Sequence, residues 1–116
     1  MSQKRGLVWP LIWAMASLSC TAPQPPPNIK DPEAAIKIAG IKQAAEKKDR
    51  SSIPALIAEL DSDDPAVRFF AIEALEKLAG ERFGYDYYLD EEQRKPSIAK
   101  WQEWLGRQKD VQAPGK

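Results

Sequence analysis

Apolar residues recur through the middle of the chain at helical spacing. Val67, Phe70, Ala71, Ala74, Leu75 and Leu78 fall at i, i+3, i+4, i+7, i+8 and i+11, one stripe of an amphipathic helix. Asp64 can cap its free N–H groups, Pro65 suits the first helical position, and Gly80 offers a left-handed stop. Phe69 and Ile72 lie off the stripe, so this helix is apolar on two sides and needs neighbours on both. Asp31-Pro32 repeats the start signal and predicts a helix to about Lys47. Its stripe is Ala34, Ile38, Ile41 and Ala45, with Lys37, Lys42 and Glu46 toward water. Between the two, Ile53, Leu56, Ile57 and Leu60 give a short third helix, capped by Ser51 or Ser52 and with Pro54 in its first turn.

The acidic turn Asp61-Ser62-Asp63 follows that helix. With Asp64 it opens like a calcium loop, but Ala66 stands where glycine is needed and Ile72 where the bidentate glutamate belongs, so these acids are turn and cap residues. Sliding the chain so that residue 36 meets residue 67 lays Ile36–Ile41 over Val67–Ile72: apolar, basic, two variable places, small, isoleucine. A period in the thirties marks a helical-hairpin repeat.

The run IPALIAEL, an acidic turn, then DPAVRFFAIEAL resembles a HEAT repeat of the phycobilisome-lyase-like branch, over about residues 31–80. The resemblance implies an all-α fold: a short HEAT-like α-α superhelix of about four antiparallel helices. It also implies that Arg68 pairs with Asp61 or Asp63 of the turn, in a structural role.

After Gly80 the pattern changes. Phe83-Gly84-Tyr85-Asp86 is an aromatic loop leading to Tyr87 and Tyr88, and Asp90-Glu91-Glu92-Gln93 reads as a capping box. The last helix carries Ile98, Trp101, Trp104 and Leu105, with Gly106 near its end. Pro96 either kinks its first turn or delays its start to about Lys95. This ending resembles small HEAT-like lipoproteins of planctomycete-type bacteria, except that Tyr87 stands where a proline usually follows FGYD. Phe83, Trp101 and Leu105 are expected to close the open apolar end of the stack. Tyr87, Tyr88 and Trp104 fit equally a share in that cap or an exposed binding surface.

The amino terminus reads as an address. Lys4 and Arg5 precede an uncharged, apolar run from Leu7 to Leu18 that is too short for the roughly twenty residues of a membrane span and right for a signal peptide. The ending Ala16-Ser17-Leu18-Ser19-Cys20 resembles the lipobox of bacterial lipoproteins, with Ser17 where a leucine is usual. That resemblance implies cleavage before Cys20 and acylation of its thiol and new amino group. The alternative is a free thiol in a secreted tail or in an uncleaved anchor. The expected organisation is a signal peptide at 1–19, a lipidated Cys20 and proline-rich stalk at 20–30, a helical domain at 31–107 and a disordered tail at 108–116. At about 3.1 Å per residue the stalk would hold the domain roughly 20–30 Å from the bilayer.

Composition narrows the chemistry. The chain has 116 residues, 17 Lys+Arg, 17 Asp+Glu, no histidine and one cysteine. Without the first nineteen residues the charges are 15 positive and 17 negative, so no basic face for nucleic acid is implied. No Cys/His metal cage and no intrachain disulfide can be built. Glu91 and Glu92 are adjacent and cannot face each other as an acid/base pair. The expectation is a non-catalytic scaffold without cofactor or metal, anchored in membrane lipid through Cys20 and binding an envelope protein outside the cytoplasmic membrane. A glycan-binding accessory is the second reading and a lyase-related HEAT subunit the third.

Overall fold

The computed structural model describes residue 23 and residues 25–112, with the backbone alone for 110–112. Among the described residues four α-helices form: α1 (Ala34–Glu46), α2 (Ile53–Glu59), α3 (Pro65–Ala79) and α4 (Glu91–Gln112), with a 3-10 turn at Arg50–Ser52 before α2. Among the described residues there is no strand, and no helix is long and apolar enough to cross a membrane.

The central helix forms as its sequence dictates. Asp64 accepts from the Ala66 N–H at 2.8 Å, Pro65 occupies the first turn, and Gly80 ends the helix at φ 77°. Val67, Ala71, Ile72, Ala74, Leu75 and Leu78 are buried, and Phe69 is left at the surface, 36 % exposed. Ile53, Leu56, Ile57 and Leu60 of α2 are buried against it. The cap of α2's turn is Asp49 rather than a serine: its carboxylate takes the Ser51 N–H and the hydroxyls of Ser51 and Ser52. Those hydroxyls, foremost Ser51's, hold the Asp49 carboxyl below its usual range.

Two expectations about α1 need correction. Asp31 accepts from the Glu33 N–H across Pro32, so the turn it makes delays the helix to Ala34. Lys37 does not face open water: its ammonium bridges both oxygens of Glu59 at 2.9 and 3.0 Å, tying the first half of α1 to the end of α2. At its other end α1 closes with Lys48 at φ 54°, the Asp49 N–H bonded to Ala44 O and the Lys48 N–H to Ala45 O. This is a Schellman stop made without glycine.

The stalk boundary also moves. The Asn28 N–H bonds Ile36 O at 3.3 Å, and the Asp31 N–H bonds Asn28 O at 3.1 Å. Ile29 packs on the core. A Cβ on buried Gly40 would lie 2.5 Å from Ile29 N and 2.7 Å from Asn28 C, so only glycine lets this strap lie down on α1. Residues 28–30 therefore belong to the folded body. The rest of the expected stalk, apart from residues 23 and 25–27, lies outside the described residues, as do residues 1–19 and Cys20.

Helix α4 does not complete an antiparallel hairpin with α3. The segment from Glu81 to Leu89 travels back along α3: Trp101 Nε1–H donates to Arg82 O near the end of α3, and Arg68 Nε–H, in its first turn, donates to Tyr87 O. Helix α4 then starts beside the start of α3 and runs parallel to it, antiparallel to α2. Its later residues Trp104 and Leu105 meet Ile53 and Pro54 at the beginning of α2. Asp90 and Gln93 form the reciprocal capping box at 2.8 and 3.4 Å, and the helix begins there despite Pro96. Gly106 does not stop it. The helix continues to Gln112, past the boundary expected at 107; residues 113–116 of the expected tail lie outside the described residues.

Candidate functional site

The returning segment is the most individual part of the molecule. Phe83 and Gly84 both have positive φ, 53° and 71°, and the Tyr85 N–H bonds Arg82 O at 3.0 Å, the pattern of a primed turn. A phenylalanine in that conformation is strained by roughly 1–3 kcal/mol. It is held there edge-on to Trp101, ring centres 4.8 Å apart, and Trp101 is fully buried. The turn drives Tyr85 inward, where its hydroxyl donates to Leu60 O at 2.6 Å, a carbonyl left over at the end of α2. Burial pushes the Tyr85 phenol up to about 12.

Side-chain donors also reach half-buried carbonyls here. Arg68 Nη1–H donates to Ser62 O at 2.7 Å and Arg94 Nη1–H to Leu89 O at 2.6 Å, and both arginines are buried. Arg50 likewise reaches Leu78 O at the end of α3. The expected pairing of Arg68 with Asp61 or Asp63 is thus replaced by bonds to Ser62 O and Tyr87 O. Asp61 and Asp63 are exposed, where an ion pair contributes little, whereas Ser62 and Tyr87 are half-buried and their carbonyls gain more from a charged donor. Arg94 Nε is buried with no hydrogen-bond partner among the described residues, and nothing in the structure offsets that cost.

The three aromatic residues proposed as one surface are not brought together. Trp104 is half-buried at the beginning of α2, its ring 5.6 Å from Trp101 and inclined at 77°. Tyr87 and Tyr88 sit at the opposite end, perpendicular to each other. Neither a single plane nor a shared trough results, which removes the geometric basis for a glycan platform. Phe83 and Trp101 form the cap core, with Leu105 packed partly buried against it.

A groove of about 610 Å³ runs between the strap, α1 and α2, past Ile29, Gly40, Ala44, Pro54 and Ala58. Its single carboxylate, exposed Asp49, is engaged by two serines. No group of three or more potential metal ligands occurs among the described residues.

Sequence reasoning missed Tyr85, Arg94 and Gly40. The signals were present: a glycine beside an aromatic in a loop, and a glycine inside a strongly helical pattern.

No curated protein and no solved structure matches the chain. A family model described as HEAT repeats matches residues 27–84, half of the chain, and this span takes in the strap, α1, α2, α3 and the primed turn. Such repeats commonly serve as protein-interaction scaffolds, and the family is generally non-catalytic. The chain belongs to the HEAT-repeat family.

Proposed function

We propose that this protein is a lipid-anchored, non-catalytic interaction module of the bacterial cell envelope, offering a helical surface to another protein. The observation that carries the reading is the HEAT-repeat body spanning residues 27–84, a fold that serves mainly to present surface. Support for the anchor comes from the order of features at the amino terminus: basic start, short apolar run, small residues, then Cys20. With residues 28–30 fastened to α1, a proline-rich stretch from Cys20 to Pro27 would span about 20–25 Å if fully extended as polyproline. The body would then ride close to the lipid.

Co-purification from crosslinked envelopes tests this reading, with a Cys20→Ala form beside the native chain. The native chain should carry acyl mass on Cys20, fractionate with membrane and retain a defined partner, while the variant is released. An unmodified thiol, or identical fractionation of the two forms, would contradict the anchor. Absence of any partner from the native chain would contradict the module.

A further inference from the structure

Four rings follow one another edge to face along the start of α3 and the returning segment. Phe70, Phe69, Tyr87 and Tyr88 have successive ring centres 5.2, 5.1 and 5.5 Å apart. At the Phe70 end the row already receives a cation: the Lys42 ammonium stands 5.6 Å from that ring's centre. The other end is open, and Tyr88 is 67 % exposed.

Four carboxylates belong to the segments that meet at the open end. Arg68 ties Ser62 O to Tyr87 O, which draws Asp61 and Asp63 beside the Tyr87–Tyr88 turn, and Asp86 and Asp90 flank that turn in sequence. All four are exposed, and none forms an ion pair with a described residue. The nearby cations are committed elsewhere. Arg68 and Arg94 are 8 % and 6 % exposed and bond carbonyls, and Lys95 bonds Glu92 while feeling Asp61 only at longer range. An exposed ring attracts a cation through its quadrupole, and the unpaired acids attract it through Coulomb forces. The same acids repel phosphate backbones and anionic lipid.

We propose that the Tyr88 turn is the docking site for a lysine- or arginine-bearing segment of a partner protein. The partner's cation stands over Tyr88 or Phe69, and flanking cations pair with the surrounding acids. The proposal rests on the interaction-module reading and supplies the chemistry of its partner.

The test titrates the isotopically labelled full chain with a ten-residue peptide of alternating arginine and alanine, followed by NMR. A peptide of alternating glutamate and alanine is the control. Shifts should concentrate at Asp86–Asp90, Asp61 and Asp63, weaken with added salt, and be absent with the acidic peptide. Tyr88→Ala should weaken binding about fivefold, and the double change Asp86→Asn with Asp61→Asn comparably. Both sites are exposed, so neither variant is expected to unfold the chain.

Shifts gathered elsewhere, or variants that bind as the native chain does, would overturn the proposal. Self-association in sedimentation that is lost on Lys47→Glu with Lys48→Glu would give this face to a second copy and overturn the partner. Crosslinking separates the two levels. Partners retained unchanged by Tyr88→Ala would sink this surface and leave the module standing, whereas a native chain with no partners would sink both.

Discussion

From Ala34 to Gly80 most of the backbone is bonded within helices and their stops, with side-chain donors reaching Leu60 O, Ser62 O and Leu78 O at the helix ends and the turn. From Glu81 to Leu89, by contrast, the chain forms no helix, and Arg82 O and Tyr87 O accept from side chains of other elements. In the first region a local pattern suffices: apolar periodicity, Asp64 as a cap, Lys48 and Gly80 as helix stops. In the second, Trp101 adds a donor to Arg82 O beside the Tyr85 N–H, Arg68 donates to Tyr87 O, and Tyr85 donates back to Leu60 O of the first region. The difference follows from direction. A connection that reversed α3 into an antiparallel partner would need roughly 2–8 residues and could stay in water. A connection that travels back along α3 carries Tyr85 into the core and brings Arg82 O and Tyr87 O within reach of side-chain donors.

That contrast can be broken most severely at Trp101, which supports the strained Phe83 and bonds Arg82 O. Trp101→Ala should cost about 3–5 kcal/mol, enough to unfold so small a domain, seen as loss of a cooperative thermal transition in circular dichroism. A loss below about 1 kcal/mol would mean that α4 is a loose addition.

Gly40→Ala probes the other region. Its Cβ would press on the backbone of Asn28 and Ile29, and the change should cost about 1–3 kcal/mol while the Asn28 amide loses its exchange protection. Retained protection at Asn28 would show that the strap does not need the glycine.

Tyr85→Phe is milder, about 1–2 kcal/mol, because it leaves Leu60 O enclosed without a donor. It carries a pH signature. The Tyr85 phenol titrates near 12 when folded, above the roughly 10 of an unfolded tyrosine, so the neutral form is favoured by folding. Its contribution is complete below about pH 10 and is lost as pH rises through about 12, up to about 2–3 kcal/mol. Urea denaturation at pH 8 and pH 11 should therefore bring native and Tyr85→Phe stabilities closer at the higher pH. A gap that widens would contradict the burial of the hydroxyl.

The smallest effect is a gain. Lys48 holds a left-handed conformation at an exposed helix stop, and Lys48→Gly should stabilise by about 0.5–1 kcal/mol. The measurement is the urea midpoint, and a lowered midpoint would mean that the Lys48 side chain contributes something its exposure does not reveal.

How much was legible follows the same division. Start and stop residues placed α3 and α2 closely, and the Asp90–Gln93 box located the beginning of α4, because each signal acts within a turn or two of itself. The strap was not legible: Pro25–Pro27 reads as linker, and the complement that holds Asn28 and Ile29 is a glycine eleven and twelve places onward. The pairing of Arg68 with Asp61 or Asp63 came from the family resemblance, whereas Arg68 bonds Ser62 O and Tyr87 O, the second of them nineteen places onward and set by the course of the returning segment. The direction of α4 has no local signature, though a connection longer than a usual hairpin and rich in aromatics was its trace. The family match stops at residue 84, just before Tyr85 turns inward to Leu60.

The parallel course of α4 is what makes the second region depend on borrowed donors, and distances between spin labels test it directly. In a Cys20→Ser background, one label pair is placed at Ala66→Cys and Glu92→Cys, and another at Lys77→Cys and Glu92→Cys, all at exposed positions. The start of α4 beside the start of α3 predicts the Ala66–Glu92 distance to be the shorter, by up to about 15 Å along the helix axis. A shorter Lys77–Glu92 distance would restore the antiparallel hairpin and contradict the account.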